Sequence, residues 1–597
     1  MTHQQCSICA RGCVLTEGNG GGCGQYTLSG GQVIERFPDR YLVACPISVE
    51  TMPMLHYYPG TKFLQISTTG CNFDCDGCIS TVIVREMSPD SSALKTLSPE
   101  DVMAEALRTR CGGIAFLMND PLAALPSFLR VAELAHGKGL KVGCSSNCYF
   151  SELSLDALLP YLDFINIGMK GFSDSSYQAC GAPAIQPVLS NMKKLHAAGV
   201  HMEISCIFTR DNRQELMELA RYISTISPHI PLQVMRFLPF ERADIAREPS
   251  IREAEDFCRV LQKSLDFVYL FNTPGTEHLH THCPRCGELA LRRDFYGPMG
   301  AKLIVSQDEC KHQTERCRRC GYDLRIKGAP ATATYQEGDF EGGYPLTRAL
   351  EMVQAMLITM GVDSKKAMVN AWEDVLQGEG LKKLHRSIQH PRSYIEALRH
   401  FGEVAGVPDR CEVLVDYLEE RLDRIERALE QVTHRPRVYY AMGKPLFYLN
   451  RGRLENQLVE SAGGISVNRE LPEGGRPGRT LSLVELNRLN PEVMFISAFI
   501  SNSVEDFHAE CLQLGVEVEA VRTRRIYAPP SPGWDFGSPR WILGLMYMAS
   551  VLHPDHCRFD VMAEADAFYR RFYSTGFNPR DVNRSFSKPS AHWRWRE

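Results

Sequence analysis

The chain of 597 residues contains no run of eighteen apolar residues, which excludes an ordinary membrane-spanning helix. Its first residues, Met1-Thr-His-Gln-Gln-Cys-Ser, have neither the basic nor the apolar stretch of an export signal. An excess of positive charge is missing too. The formal net charge is −5, so no bulk basic field draws in nucleic acid. These absences predict a cytoplasmic protein with neither a nucleic-acid nor a membrane partner. What is plentiful is cysteine, at 22 residues. In a long chain without an export signal, cysteines read as metal ligands and reduced thiols, in a reducing and anaerobic setting. Half of them fall in four groups, at 6–23, 71–78, 283–286 and 317–320. The length suggests about three or four domains, and a hydrophobic content of 44% lets each bury a core.

The stretch Thr68-Thr-Gly-Cys71-Asn-Phe-Asp-Cys75-Asp-Gly-Cys78 organises the rest. Three cysteines at this spacing bend round one corner and present three thiolates to three irons of a cube. With no fourth ligand nearby, one iron is open to chelate the amino and carboxylate groups of S-adenosylmethionine (SAM). The loop resembles the radical SAM signature in all three cysteines. It departs from many members at Gly77, where they carry an aromatic residue. A zinc knuckle, the competing reading, wants a fourth Cys or His close by, and none follows within twenty residues.

Upstream, Cys6, Cys9, Cys13 and Cys23 lie among glycines that permit tight turns. They form a second metal site for structural zinc or another iron–sulfur cluster, unless they are unligated thiols. From 62 to 240, β-rich runs alternate with amphipathic helices. The strand candidates are 62–67, 113–118, 141–145, 163–168, 201–206 and 233–237. The best helix start is Ser98-Pro99-Glu-Asp101, with a capping serine, proline and early acids. Such alternation predicts a partial (β/α)6 barrel with its ligands at the C-terminal strand ends.

Residues 1–325 resemble radical SAM proteins of the AmmeMemoRadiSam type, relatives of pyruvate formate-lyase activating enzymes. The resemblance lies in the N-terminal cysteine block, His56-Tyr-Tyr-Pro-Gly60, Asn119-Asp120-Pro121, Ser146-Asn147-Cys148-Tyr149, Met169-Lys170-Gly171-Phe172, Arg236-Phe237 and Thr281-His-Cys283-Pro-x-Cys286. It implies that Asn119 and Asp120 face the SAM amino group, and that Ser146 and Asn147 approach the ribose. Lys170 meets the carboxylate, although the family's acid two residues earlier is Gly168 here. Glu203 reaches the ribose hydroxyls, and Arg236 the carboxylate or adenine. Cys148, in place of a family glycine, is either a substrate-side catalytic thiol or a packed, inert cysteine.

Cys283-x2-Cys286 and Cys317-x2-Cys320, each followed by glycine, read as a zinc ribbon, with an auxiliary iron–sulfur cluster as the competitor. Cys310 and the alternating His278, His280 and His282 are other donors nearby; the histidines suit one face of a strand. The predicted organisation is a cysteine-rich segment at 1–60, the barrel at 61–265, the ribbon at 266–326, a linker at 327–343, a helical region at 344–433 and an α/β lobe at 434–597. In the helical region Leu414, Leu418, Leu422, Ile425 and Leu429 mark one face of a helix over 410–432. In the last lobe, the stretches SAGG, LNPEVMFIS, RRIYAPP and SPRWILGLMYMASVLHPD resemble class III periplasmic binding proteins for metal chelates and cobalamin. If a cleft survives there, Tyr527, Trp534 and Arg540 line it.

The resulting expectation is a radical SAM enzyme that cleaves SAM at a [4Fe–4S] cluster to a 5′-deoxyadenosyl radical. A ferredoxin- or flavodoxin-type donor reduces it. Its substrate, held partly by the C-terminal lobe, belongs to metallocofactor, tetrapyrrole or corrinoid metabolism. The alternatives are an activase of a glycyl-radical protein and a cytoplasmic metal-chelate carrier.

Overall fold

The computed structural model describes residues 3–239, 244–305, 315–333, 335–338, 340–472, 477–497 and 503–578. Cys310 lies outside them. The chain divides into two compact units. One comprises 1–237, 247–272 and 277–347; the other comprises 238–246, 273–276 and 348–597.

The first unit is built on one eight-stranded sheet: β1 (Val43–Ser48), β2 (Lys62–Ser67), β3 (Gly113–Phe116), β4 (Lys141–Ser146), β5 (Phe164–Met169), β6 (His201–Phe208), β7 (Leu232–Arg236) and β8 (Val268–Phe271). The strands neighbour each other in chain order. β1 is antiparallel to β2, and every later pair is parallel. The six strands read from the sequence are there; β1 and β8 extend them. Helices occupy the crossovers: α1 (Pro99–Arg108), α2 (Leu125–Gly137), α3 (Glu152–Leu158), α4 (Asp174–Gln178), α5 (Gln186–Ala197), α6 (Arg213–Ile226) and α7 (Ile251–Leu261). β3 (GIAF) and β8 (VYLF) are buried at every position, as parallel strands covered on both faces must be. α1 starts where the sequence marks it. Ser98 accepts from the Asp101 backbone N–H, and the Asp101 carboxylate accepts from that of Ser98, satisfying two orphan donors.

Two buried ion pairs tie the ribbon segment into this unit. Arg293, on a short strand after the first knuckle, pairs with Glu50 at 2.8 Å, both side chains fully buried. It also donates to the Thr281 hydroxyl and the Leu55 carbonyl. Lys302 pairs with Glu337 in the same way.

The second unit has a helical part followed by an α/β part. Its helices include Lys365–Leu376, Gly380–Ser387, Pro391–Val404 and Pro408–Leu429. The last buries Leu414, Leu418, Leu422 and Ile425, the face predicted from their spacing, while Leu429 is half-buried. In its sheet, the strands Arg437–Ala441, Val493–Ile496 and Ile526–Tyr527 run parallel, and an antiparallel pair, Phe447–Leu449 and Gly478–Thr480, extends the other edge. Trp534 and Arg540 do not line a cleft. Both are fully buried: the Trp534 ring packs on Phe577, and the Arg540 guanidinium donates to the Ser538 and Tyr569 hydroxyls. Gly544 fixes this packing, since a Cβ there would stand 1.8 Å from the Trp534 carbonyl oxygen. Tyr527 is half-buried.

Candidate functional site

Four neighbouring strands, β2 to β5, each deliver one piece of the site just beyond their C-terminal ends. β2 runs into the cysteine loop. After β3 come Asn119 and Asp120, β4 ends at Ser146 and is followed by Asn147, and β5 is followed by Lys170. Asn119 is 4% exposed and holds the base of the loop with its whole amide. Its Oδ1 accepts from the Thr68 N–H at 3.0 Å; its Nδ2 faces the Thr68 hydroxyl and the Thr69 and Gly70 carbonyls at 2.9, 3.3 and 3.1 Å. Asp120 ties β3 to β4: its carboxylate accepts from the Ser146 hydroxyl and, at 2.7 Å, from the Asn147 N–H. Asn147 in turn donates to the Asn72 side chain at 2.7 Å, inside the loop. Gly77 has φ +67°, in the region glycine favours, which explains why no aromatic stands there.

Lys170, half-buried, points its charge at the loop. Burial disfavours that charge, but the thiols of Cys75, Cys180, Cys71 and Cys78 outweigh it and hold the ammonium above the ordinary lysine range. A Cβ on Gly168 would lie 3.7 Å from the Lys170 Nζ. An acid at that position would compete for the lysine, and its absence leaves the charge to the sulfurs. Burial pushes the Cys71 thiol up, and Asp120 adds to the effect. Cys75 is held low, chiefly by the Cys180 thiol as hydrogen-bond donor and then by Lys170. Three soft thiol donors from one loop beside a fixed cation fit a [4Fe–4S] cluster and the carboxylate of its SAM.

Sequence reasoning missed Cys180, whose carbonyl accepts from the Asp74 N–H at 3.0 Å. No spacing rule links it to the loop, because α4 and the turn after it bring it there. Two expected residues stand elsewhere. Cys148 is fully buried in the hydrophobic core, and burial raises its thiol pKa. It is a packed cysteine, not a substrate-side thiol. Glu203 lies early in β6, away from the C-terminal strand ends. Its two oxygens accept from the Leu55 and His56 N–H groups, the Gln233 amide and the His201 ring. This fully buried carboxylate clamps the segment before β2 and does not face a ribose. Arg236 is fully buried, pairs with Glu248 at 2.8 Å and donates to the Asn272 and Pro249 carbonyls.

The four ribbon cysteines converge. The ligand atoms of Cys283, Cys286, Cys317 and Cys320 lie within 4.8 Å of one another, with Cys283–Cys320 and Cys286–Cys317 both at 3.5 Å. Each knuckle closes the same way: Gly287 and Gly321, at φ +73° and +70°, donate to the Cys283 and Cys317 carbonyls. Zn–S bonds of ~2.3 Å in a tetrahedron need sulfurs about 3.8 Å apart, so this set fits one zinc ion. His280 is not among the converging donors, and its Nδ1 accepts from the Arg293 N–H. Cys286→Ser is expected to lower bound zinc by about one ion per chain in elemental analysis; unchanged zinc would refute the assignment.

The N-terminal four are arranged differently. Cys6, Cys9, Cys13 and Cys23 line one cavity together with Arg11 and Asn72. Burial pushes the Cys9 thiol up to about 11, and Cys6, Cys23 and Cys13 add to it.

Residues 66–223 match the radical SAM superfamily. The chain therefore carries a radical SAM domain and is a radical SAM enzyme. It is 28% identical over 332 residues to an uncharacterized protein of Methanocaldococcus jannaschii, covering 54% of this chain and 95% of that protein. Among solved structures it is similar to a periplasmic solute-binding protein of Veillonella parvula, at 20% identity and a TM-score of 0.29, over 32% of this chain and 59% of the other. A second is the Helicobacter pylori protein CeuE with Ni(II) bound, at 17% identity and a TM-score of 0.29, over 34% of this chain and 68% of the other. The chain thus spans about three fifths to two thirds of these solved proteins. Among the described residues, no helix is long and apolar enough to cross a membrane.

Proposed function

We propose that this radical SAM enzyme binds a [4Fe–4S] cluster through Cys71, Cys75 and Cys78, with SAM on the open iron. When bound and reduced by a low-potential donor of the ferredoxin or flavodoxin class, the cluster supplies one electron to the sulfonium, giving methionine and a 5′-deoxyadenosyl radical. The observation that carries the reading is one loop bearing three cysteines, anchored by Asn119 and followed on the neighbouring strands by Asp120, Ser146, Asn147 and Lys170, at the C-terminal ends of β2 to β5.

The chain's own residues have separable tasks. Asn119 fixes the loop's backbone, so the three sulfurs keep one relative placement. Asp120 locks Ser146 and Asn147, and through Asn147 it sets Asn72; these groups form the polar wall on the SAM side. Lys170 neutralises the sulfurs and meets the SAM carboxylate in a charge-assisted contact. For the substrate we assign a metallocofactor of tetrapyrrole or corrinoid type, bound by the C-terminal unit. That assignment rests on the binding-protein-like sequence stretches of 434–597.

SAM binding to the loaded chain tests the site. Lys170→Gln is expected to weaken SAM about tenfold to a hundredfold, the worth of one charge-assisted hydrogen bond, while iron content is unchanged. A loaded wild-type chain that binds no SAM would defeat the reading.

A further inference from the structure

We propose that Cys6, Cys9, Cys13 and Cys23 hold an auxiliary iron–sulfur cluster beside the Cys71–Cys75–Cys78 loop. The inference rests on the reading of that loop as the SAM-cluster site and adds a second redox centre to it.

Three observations carry it. The first is dimension. The ribbon cysteines are, among the described residues, the one set whose ligand atoms close to within 4.8 Å of each other. The N-terminal four line one cavity without closing to that spacing. A single zinc ion draws four sulfurs to about 3.8 Å. A four-iron cube keeps its ligands further apart.

The second is charge and hydrogen bonding. A cube with four thiolates is an anion, and Arg11 stands at the cavity wall. The backbone N–H groups of Ile8, Arg11 and Gln25 face the sulfurs of Cys6, Cys9 and Cys23. Such donors stabilise thiolates and help set a cluster's potential.

The third is position. Asn72, the neighbour of Cys71, belongs to the same cavity wall, and Arg11 donates to its carbonyl at 2.5 Å. The Ala10 N–H bonds to the Tyr149 carbonyl at 3.0 Å, just past the end of β4. The N-terminal block is therefore docked on the strand ends that build the SAM site. Cys9, Cys13 and Cys23 are half-buried, so an electron-carrying protein can approach them.

The test uses the full chain with Cys71→Ala, Cys75→Ala and Cys78→Ala, reconstituted anaerobically with iron, sulfide and zinc all present. About four iron and four sulfide per chain are expected, with an electron paramagnetic resonance (EPR) signal on reduction that SAM does not alter. Adding Cys9→Ser and Cys13→Ser should remove the iron and sulfide. A triple variant that takes up zinc in their place overturns the proposal, as does iron that survives the added substitutions. The wild-type holoprotein gives a measurement independent of how the variants fold. Its reduced state should show two signals broadened by mutual spin interaction, only one of which SAM perturbs. A single signal that responds wholly to SAM, with about four irons per chain, refutes the auxiliary cluster and leaves the loop reading intact. Iron at the N-terminal site with no SAM-responsive signal supports the auxiliary cluster and fails the loop reading instead.

Discussion

Cys71→Ala is expected to lower 5′-deoxyadenosine formation from SAM by at least about a thousandfold, to background, in anaerobic assays with a strong reductant. The size follows from how the loop is built. Cys71, Cys75 and Cys78 are supplied by one turn whose backbone Asn119 anchors at Thr68, Thr69 and Gly70. Two remaining thiols cannot hold a cube with one iron open. Another thiol, Cys180, acts on Cys75 as a hydrogen-bond donor. Cys180→Ala is therefore the informative companion: it leaves the loop's own three ligands in place. High-performance chromatography of the quenched reaction reads both variants. Deoxyadenosine from Cys71→Ala at near wild-type rate would remove the loop from the chemistry.

Arg293→Met is expected to destabilise the first unit by about 3–5 kcal/mol, the cost of leaving one partner of a buried ion pair alone. Glu50 and Arg293 are both fully buried, and the guanidinium also serves Thr281 and Leu55. Burial already raises the Glu50 pKa, against the pull of Arg293. Without the arginine, that carboxyl protonates in the folded state. A carboxyl whose folded pKa lies above its unfolded value makes the native state the better proton binder. Stability is then retained at low pH and lost as pH rises through the folded pKa. The variant should accordingly lose more stability at pH 8 than at pH 5, and Glu50→Leu with Arg293→Met should recover much of the loss. Denaturant unfolding followed by limited proteolysis of the first unit measures this. Equal destabilisation at both pH values would contradict the account.

Much of the site was legible because its chemistry is local. The cysteine loop lies within eleven residues of sequence, from Thr68 to Cys78, and each partner directly follows a strand that reads as a β-rich run. The ribbon was legible for the same reason, since each knuckle carries its own glycine. What sequence could not supply was which end of a strand faces the site. Glu203 is polar and lies early in β6, and the segment at Leu55 and His56 claims both its oxygens. Cys148 sits where a family glycine stands, at φ +60°, and the core encloses its thiol. Trp534 and Arg540 carry the look of ligand residues, but the close approach of Gly544 and the Tyr569 hydroxyl hold them inside. Cys180 had no signal at all, because it reaches Cys75 through tertiary folding alone.

The measurement that tests the central claim most directly is EPR of the anaerobically reconstituted, reduced chain with and without SAM carrying a labelled methionine nitrogen and carboxylate. The account predicts a [4Fe–4S]+ signal that shifts on adding SAM and shows hyperfine coupling to the labelled groups, with both effects gone in Cys71→Ala. A fully loaded cluster whose spectrum is the same with and without SAM would contradict it.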